Sequence, residues 1–131
     1  MNKNFTLDEL IKYASDYSFN AEALPVSFDN EKYVRTPIYK DDNLEIVCIC
    51  FSPGQTSSVH DHQGSNCVIR VVSGKMLEQL FRDNGTHNVF VSNHYLNAGD
   101  VSGLDGVAIH QISNVNKEGT VLLNFYSPPF A

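Results

Sequence analysis

Between Tyr33 and Tyr126 the chain is cut into short apolar runs by Pro, Gly, Asn and Asp, and this punctuation limits the fold more than any other feature. Tyr33–Tyr39 is extended, because the residue before Pro37 avoids the helical region. Lys40–Asn43 is a turn. Leu44–Phe51 is nearly all apolar and β-branched or aromatic, which suits a strand buried on both faces. Ser52-Pro-Gly54 ends it. Cys67–Val72 is the next strand, turned by Ser73-Gly74 into Lys75–Phe81, and Arg82-Asp-Asn-Gly85 is a hairpin signal. Val89–Val91, a stretch near Tyr95-Leu96, and the Gly99-Asp-Val turn follow. The last two strands are Val107–Ile112 and Thr120–Tyr126, joined by the polar loop Asn114–Gly119. Many short strands at regular spacing predict an all-β sandwich or closed barrel.

Residues 1–30 differ. Thr6 can cap a helix, Glu9 can complete a capping box, and Phe5 can staple onto Leu10. Leu7, Leu10, Ile11, Ala14 and Tyr17 then form a helical stripe able to cover part of a sheet. Ala21–Asn30 holds Pro25 and little periodicity, so it reads as a connection. The expected organisation is one domain over 1–131, with a short N-terminal helix and connection (1–30) packed on a barrel (33–131).

Chemistry concentrates in Gly54–Cys67, which contains His60-Asp61-His62. In extended backbone the two histidines share a face and Asp61 points away. Neutral imidazole is the commonest metal ligand. On its own such a triplet is more often a pair of partly exposed strand histidines, and the flanking residues have to carry the metal reading. A third ligand would have to come from elsewhere, and the chain offers His110 within Gly106–Asn114. His87 and His94 lie in polar turns and are expected to face solvent, and Cys48 and Cys50 to be core.

Net charge is −6, with no cluster of Lys or Arg, which argues against nucleic acid. Neither a secretory signal nor a membrane span is expected from the sequence. Three cysteines without disulfide spacing fit a reducing compartment, so the protein is expected to be cytoplasmic, and a monomer. No Gly-x-Gly-x-x-Gly run suggests a dinucleotide.

The spacing resembles the cupin barrel, a double-stranded β-helix or jelly roll. Gly54, His60, His62, Cys67 and Gly74 fall in the register of that family's first motif, with cysteine where the common cupin has glutamate. Gly99, Asp105-Gly106, His110 and Asn114 resemble the second. His-x-His, four residues, Cys, and a terminal Tyr126-Ser-Pro-Pro-Phe130 are similar to the cysteine dioxygenases, over about Tyr33 to Phe130. The resemblance implies that His60, His62 and His110 hold Fe(II). It implies that Arg35, in its Tyr-x-Arg context, clamps the substrate carboxylate, and that Tyr126 is the active-site tyrosine, able to join Cys67 through a thioether. The family's Ser-x-His-x-Tyr run is here Leu122, Asn124 and Tyr126, which still share a face, but Asn124 cannot take a proton as imidazole can.

The implied activity is oxidation of L-cysteine by O2 to the sulfinate. Two other readings stay open. One is the same chemistry on another small thiol such as 3-mercaptopropionate. The other is a non-catalytic metal- or ligand-binding cupin, with Cys67 as a fourth ligand that would favour zinc or copper.

Overall fold

The structure is a computed structural model and describes residues 3–130. Helix α1 (Leu7–Asp16) begins at Thr6, whose hydroxyl accepts from Glu9 N (3.2 Å) while the Glu9 carboxylate accepts from Thr6 N (2.9 Å), the capping box expected. A 3₁₀ turn at Ala21–Ala23 interrupts the connection. Eight strands follow: β1 (Val34–Lys40), β2 (Glu45–Phe51), β3 (Asn66–Ser73), β4 (Lys75–Asp83), β5 (Asn88–Asn97), β6 (Val101–Leu104), β7 (Ile109–Ser113) and β8 (Thr120–Ser127). They form two antiparallel sheets, ordered β1-β2-β8-β3-β6 and β5-β4-β7. None of the described helices is long and apolar enough to cross a membrane.

Period-2 alternation divides the larger sheet between two cores. Val47, Ile49 and Phe51 of β2, Cys67, Ile69 and Val71 of β3, and Leu122 and Tyr126 of β8 face inward, where they meet Met76, Leu96 and Ile112 from the smaller sheet. The intervening residues Ile46, Cys48, Cys50, Val68, Leu123 and Phe125 face outward and are covered by Leu10 and Ala14 of α1. Burial on both faces explains why β2 reads as a continuous apolar run, and all seven of its residues are buried. Arg70, on the outer face of β3, anchors the helix from below. Its Nη1 donates to the carbonyls of Ala14 (2.9 Å) and Tyr17 (2.8 Å), capping the C-terminal turn of α1.

Three expectations need correction. Val89–Val91 and Tyr95-Leu96 belong to one ten-residue strand, β5, kept in register with β4 by an irregularity between Leu80 and Phe81. The segment after Gly99 is a strand, β6, rather than a turn only, because it pairs with Cys67–Arg70 of β3. His94 is exposed as expected but sits on β5, not in a turn. The hairpin expected at Asn84-Gly85 is present and joins β4 to β5 through a four-residue loop, Asn84–His87, in which the Asn84 side chain accepts from the backbone N–H of Thr86 and His87.

Candidate metal centre

His60 and His62 lie outside the named strands. They lie in a loop that, besides a bridge from Thr56 to Ser113, meets β7 through an isolated bridge between His60 and His110. Each of these residues donates its backbone N–H to the other's carbonyl at 2.9 Å. A few residues on, Gly64 N donates to Gly106 O (3.1 Å), and the two chains run so close that a β-carbon on Gly106 would overlap the backbone of Gly64. Glycine is required there by the approach of the backbone itself. Asp61 turns outward and accepts from Gln63 N.

This arrangement brings the three imidazoles together. Ring centroids are 5.1 Å apart for His60–His62, 4.7 Å for His60–His110 and 4.8 Å for His62–His110. One nitrogen from each lies within 4.8 Å of the others, a spacing that admits one ion. Cys67 is not part of that cluster.

Hydrogen bonds decide which nitrogen two of the rings offer. His60 Nδ1 is 2.7 Å from the carbonyl of Ser58, which can only accept, so Nδ1 carries the proton and Nε2 keeps its lone pair. His110 Nδ1 is 2.9 Å from Glu78 Oε2, and Ser102 Oγ donates to the other carboxylate oxygen at 2.7 Å. Burial raises the Glu78 pKa, but the bonds from His110 and Ser102 outweigh it and hold the carboxyl below its ordinary 4.5. An ionised carboxylate cannot donate, so His110 is fixed in the same tautomer. His62 is 1% exposed, and its Nδ1 has no partner among the described residues. Burial, followed by the like charge His110, His60 and Arg35 would present, pushes the His62 pKa down to about 3, and His60 is lowered mainly by burial. Neutral rings with buried or free lone pairs are the form a divalent ion needs. The residues fit a metal.

Beside the rings is a cavity of about 560 Å³, within the range of small-molecule sites. Arg35 enters from edge strand β1, opposite Ile49 of the inner core. Its Nη2 donates to Tyr126 Oη (3.1 Å), and Asn124 Nδ2 donates to the same oxygen (3.0 Å). With two donors on its lone pairs, the phenol's own proton is left to point into the cavity. Burial is the main reason the Tyr126 pKa is raised, so this proton is retained. Asn124 Oδ1 is buried and has no partner among the described residues. Cys67 pairs directly across from Tyr126 in the β3–β8 register, and burial likewise pushes its thiol up. Phe130 folds back from the tail onto both His62 and Tyr126, each with ring centroids 5.4 Å away.

The candidate residues therefore converge, while His87 and His94 stay exposed and apart, and Cys48 and Cys50 are buried in the outer core. Sequence reasoning missed Glu78, Ser102 and the Ser58 carbonyl. A signal for Glu78 existed: it falls between Met76 and Leu80 on the inward parity of β4, where a carboxylate is out of place.

The family model for "Cysteine dioxygenase type I" matches residues 2–131. Human "Cysteine dioxygenase type 1" is 28% identical over 114 residues, covering 82% of this chain and 57% of the human protein. The chain thus spans little more than half the length of that relative. Among solved structures, an uncharacterized protein with a double-stranded β-helix domain from Klebsiella pneumoniae is 20% identical, with a TM-score of 0.70, covering 88% of this chain and 87% of that one. A cupin superfamily protein from Desulfitobacterium hafniense is 16% identical, with a TM-score of 0.63 and coverage of 79% and 84%. These two establish the fold expected from the resemblance.

Proposed function

Because the chain belongs to the cysteine dioxygenase type I family, we propose that it is a mononuclear Fe(II) thiol dioxygenase that converts L-cysteine and O2 to cysteine sulfinate. The observation that carries the reading is the convergence of three neutral imidazoles beside a cavity holding a guanidinium and a phenol. His60, His62 and His110 would hold the iron. Bound there, a ferrous ion keeps its dipositive charge and open positions, and supplies a place where a thiolate and O2 can meet. The overall reaction, R–SH + O2 → R–SO2H, balances without another electron carrier, since sulfur gives up the four electrons that O2 takes.

The chain's own groups do the rest. Arg35 presents a permanently charged fork to the substrate carboxylate. Tyr126, held by Arg35 and Asn124, donates its proton to a group in the cavity. Phe130 and the inner aromatic pair Tyr33–Phe51, with ring centroids 4.6 Å apart, wall the site against water. The opposition of Cys67 and Tyr126 across two strands supports a thioether between them. Forming that C–S bond removes two electrons and two protons from the pair, with O2 as oxidant. The three buried free cysteines support a reducing compartment such as the cytoplasm.

A second reading has one observation in its favour. Asn124 occupies the position where the family's histidine is implied, and its unpaired Oδ1 alters the polarity beside Tyr126. The same chemistry on a different small thiol, such as 3-mercaptopropionate, would accommodate that change. The test is anaerobic loading with Fe(II), then addition of cysteine or 3-mercaptopropionate under labelled O2. Two heavy oxygens in a sulfinate product support dioxygenation, and the faster thiol identifies the substrate. A disulfide or unlabelled product from both sinks the proposal.

A further inference from the structure

The three imidazoles are not supported equally, and the inequality points to a residue outside the ligand set. His110 leans on a carboxylate, His60 on a carbonyl, and His62 on nothing. We propose that Glu78 is a positioning residue for the metal centre, holding His110 with its Nε2 lone pair toward the ion and setting a negative charge directly behind that ligand. The proposal rests on the metal-binding part of the function proposed above.

Glu78 is 2% exposed, on the inner face of the barrel. Burying a carboxylate costs several kcal/mol, by an order-of-magnitude estimate, unless a counter-charge repays it. Among the described residues no Lys or Arg pairs with it, and the nearest basic group is the His110 ring at 2.9 Å. An imidazole with its proton on Nδ1 is neutral and repays little. A divalent ion on the far side of the same ring would repay it, because the ion polarises the ring and strengthens the Nδ1–H bond to the carboxylate. A buried acid here makes electrostatic sense chiefly when the centre is charged.

Ser102 completes the device. It lies on β6 of the larger sheet, whereas Glu78 and His110 lie on β4 and β7 of the smaller one. Its hydroxyl donates to Glu78 Oε1, leaving Oε2 directed at His110. The carboxylate is thereby fixed from across the barrel, and His110 inherits that orientation. Ser102 and His110 thus each donate to a different oxygen of the Glu78 carboxylate, and each proton has one available acceptor.

Glu78→Gln separates charge from shape, since its amide oxygen can accept from His110 while its N–H turns to the Ser102 hydroxyl. The full-length protein, free of metal, would be titrated with Co(II) against a chromogenic chelator, and its melting recorded separately without metal. Glu78→Gln should bind Co(II) about ten- to a hundredfold more weakly, with melting of the metal-free form unchanged or raised. Ser102→Ala keeps the charge but frees the carboxylate, and should weaken Co(II) binding by roughly two- to tenfold. Co(II) binding equal to the wild type in both variants overturns the proposal, and so does a weakening that follows a drop in metal-free melting. Should Glu78→Gln fail to fold, the Ser102→Ala result decides alone. A wild-type protein that binds no Co(II) sinks the metal-centre reading itself, an outcome distinct from all of these.

Discussion

His60 and His110 donate to each other's carbonyls through paired 2.9 Å backbone bonds, although fifty residues of chain, here 60 to 110, separate them. Two candidate ligands are thus tied main chain to main chain, so their separation does not depend on side-chain packing. The Gly64–Gly106 contact extends the same clasp. Gly106→Ala would push a β-carbon into Gly64's backbone, which cannot yield as a flexible side chain would. Overpacking of this kind costs about 1–3 kcal/mol. We expect a lower melting temperature together with weaker Co(II) binding, checked by thermal melting and chelator competition.

Arg35 provides a sharper test of substrate recognition. Its side chain is open to the cavity and, among the described residues, bonded to Tyr126 rather than to a carboxylate. Arg35→Met keeps the length of the stem and removes the fork. Losing a charge-assisted bond is worth about 1.5–3 kcal/mol, so kcat/KM for cysteine should fall roughly ten- to a hundredfold. Cysteamine, which has no carboxylate, should lose much less. Oxygen-uptake kinetics with both thiols would show the difference.

Asn124→Leu removes one of the two donors to Tyr126 and also removes the orphaned Oδ1. One neutral hydrogen bond is worth about 0.5–1.5 kcal/mol. Turnover should therefore drop by roughly two- to tenfold while thermal stability holds or rises, measured by steady-state assay and calorimetry on the same preparation.

Cys67 and Tyr126 face each other across β3 and β8. After aerobic turnover with Fe(II) and cysteine, a fraction of the chains should be lighter by two hydrogen atoms in intact-mass spectrometry. Digestion should then yield a peptide joining the two strands. Cys67→Ser should abolish that species and leave the Co(II) affinity unchanged, because Cys67 lies outside the cluster of possible ligands.

Much of this site was legible in the sequence because it depends on parity and motif. Leu122, Asn124 and Tyr126 share a face of β8 as alternation requires, and the apolar run of β2 announced burial on both sides. The local structure of the histidine triplet was not legible. An x-His-x-His-x stretch alternates like a strand, but its pairing depends on a partner in β7 and reduces to a single bridge. Glu78 was hidden for a related reason. Its inward parity between Met76 and Leu80 marks it as out of place, but the groups that give it a role lie 24 and 32 residues away, at Ser102 and His110. Strand β6 escaped because Val101–Leu104 is short and contains Gly103, with no side chain to signal its pairing to Val68. Non-local hydrogen bonds leave little trace in local composition.

Strand β8 is the last in the order of the chain and the third of five in its sheet. Without it, β1–β2 and β3–β6 are two separate ribbons, and their outward apolar rows lose the neighbour that joins them. On the ribosome, all three histidines emerge before anything can enclose them. Closure must await Thr120–Ser127, and non-local pairing of this kind is slow and exposed to aggregation. Translation arrested ahead of Tyr126 should therefore yield insoluble nascent protein rather than a soluble, weakened enzyme.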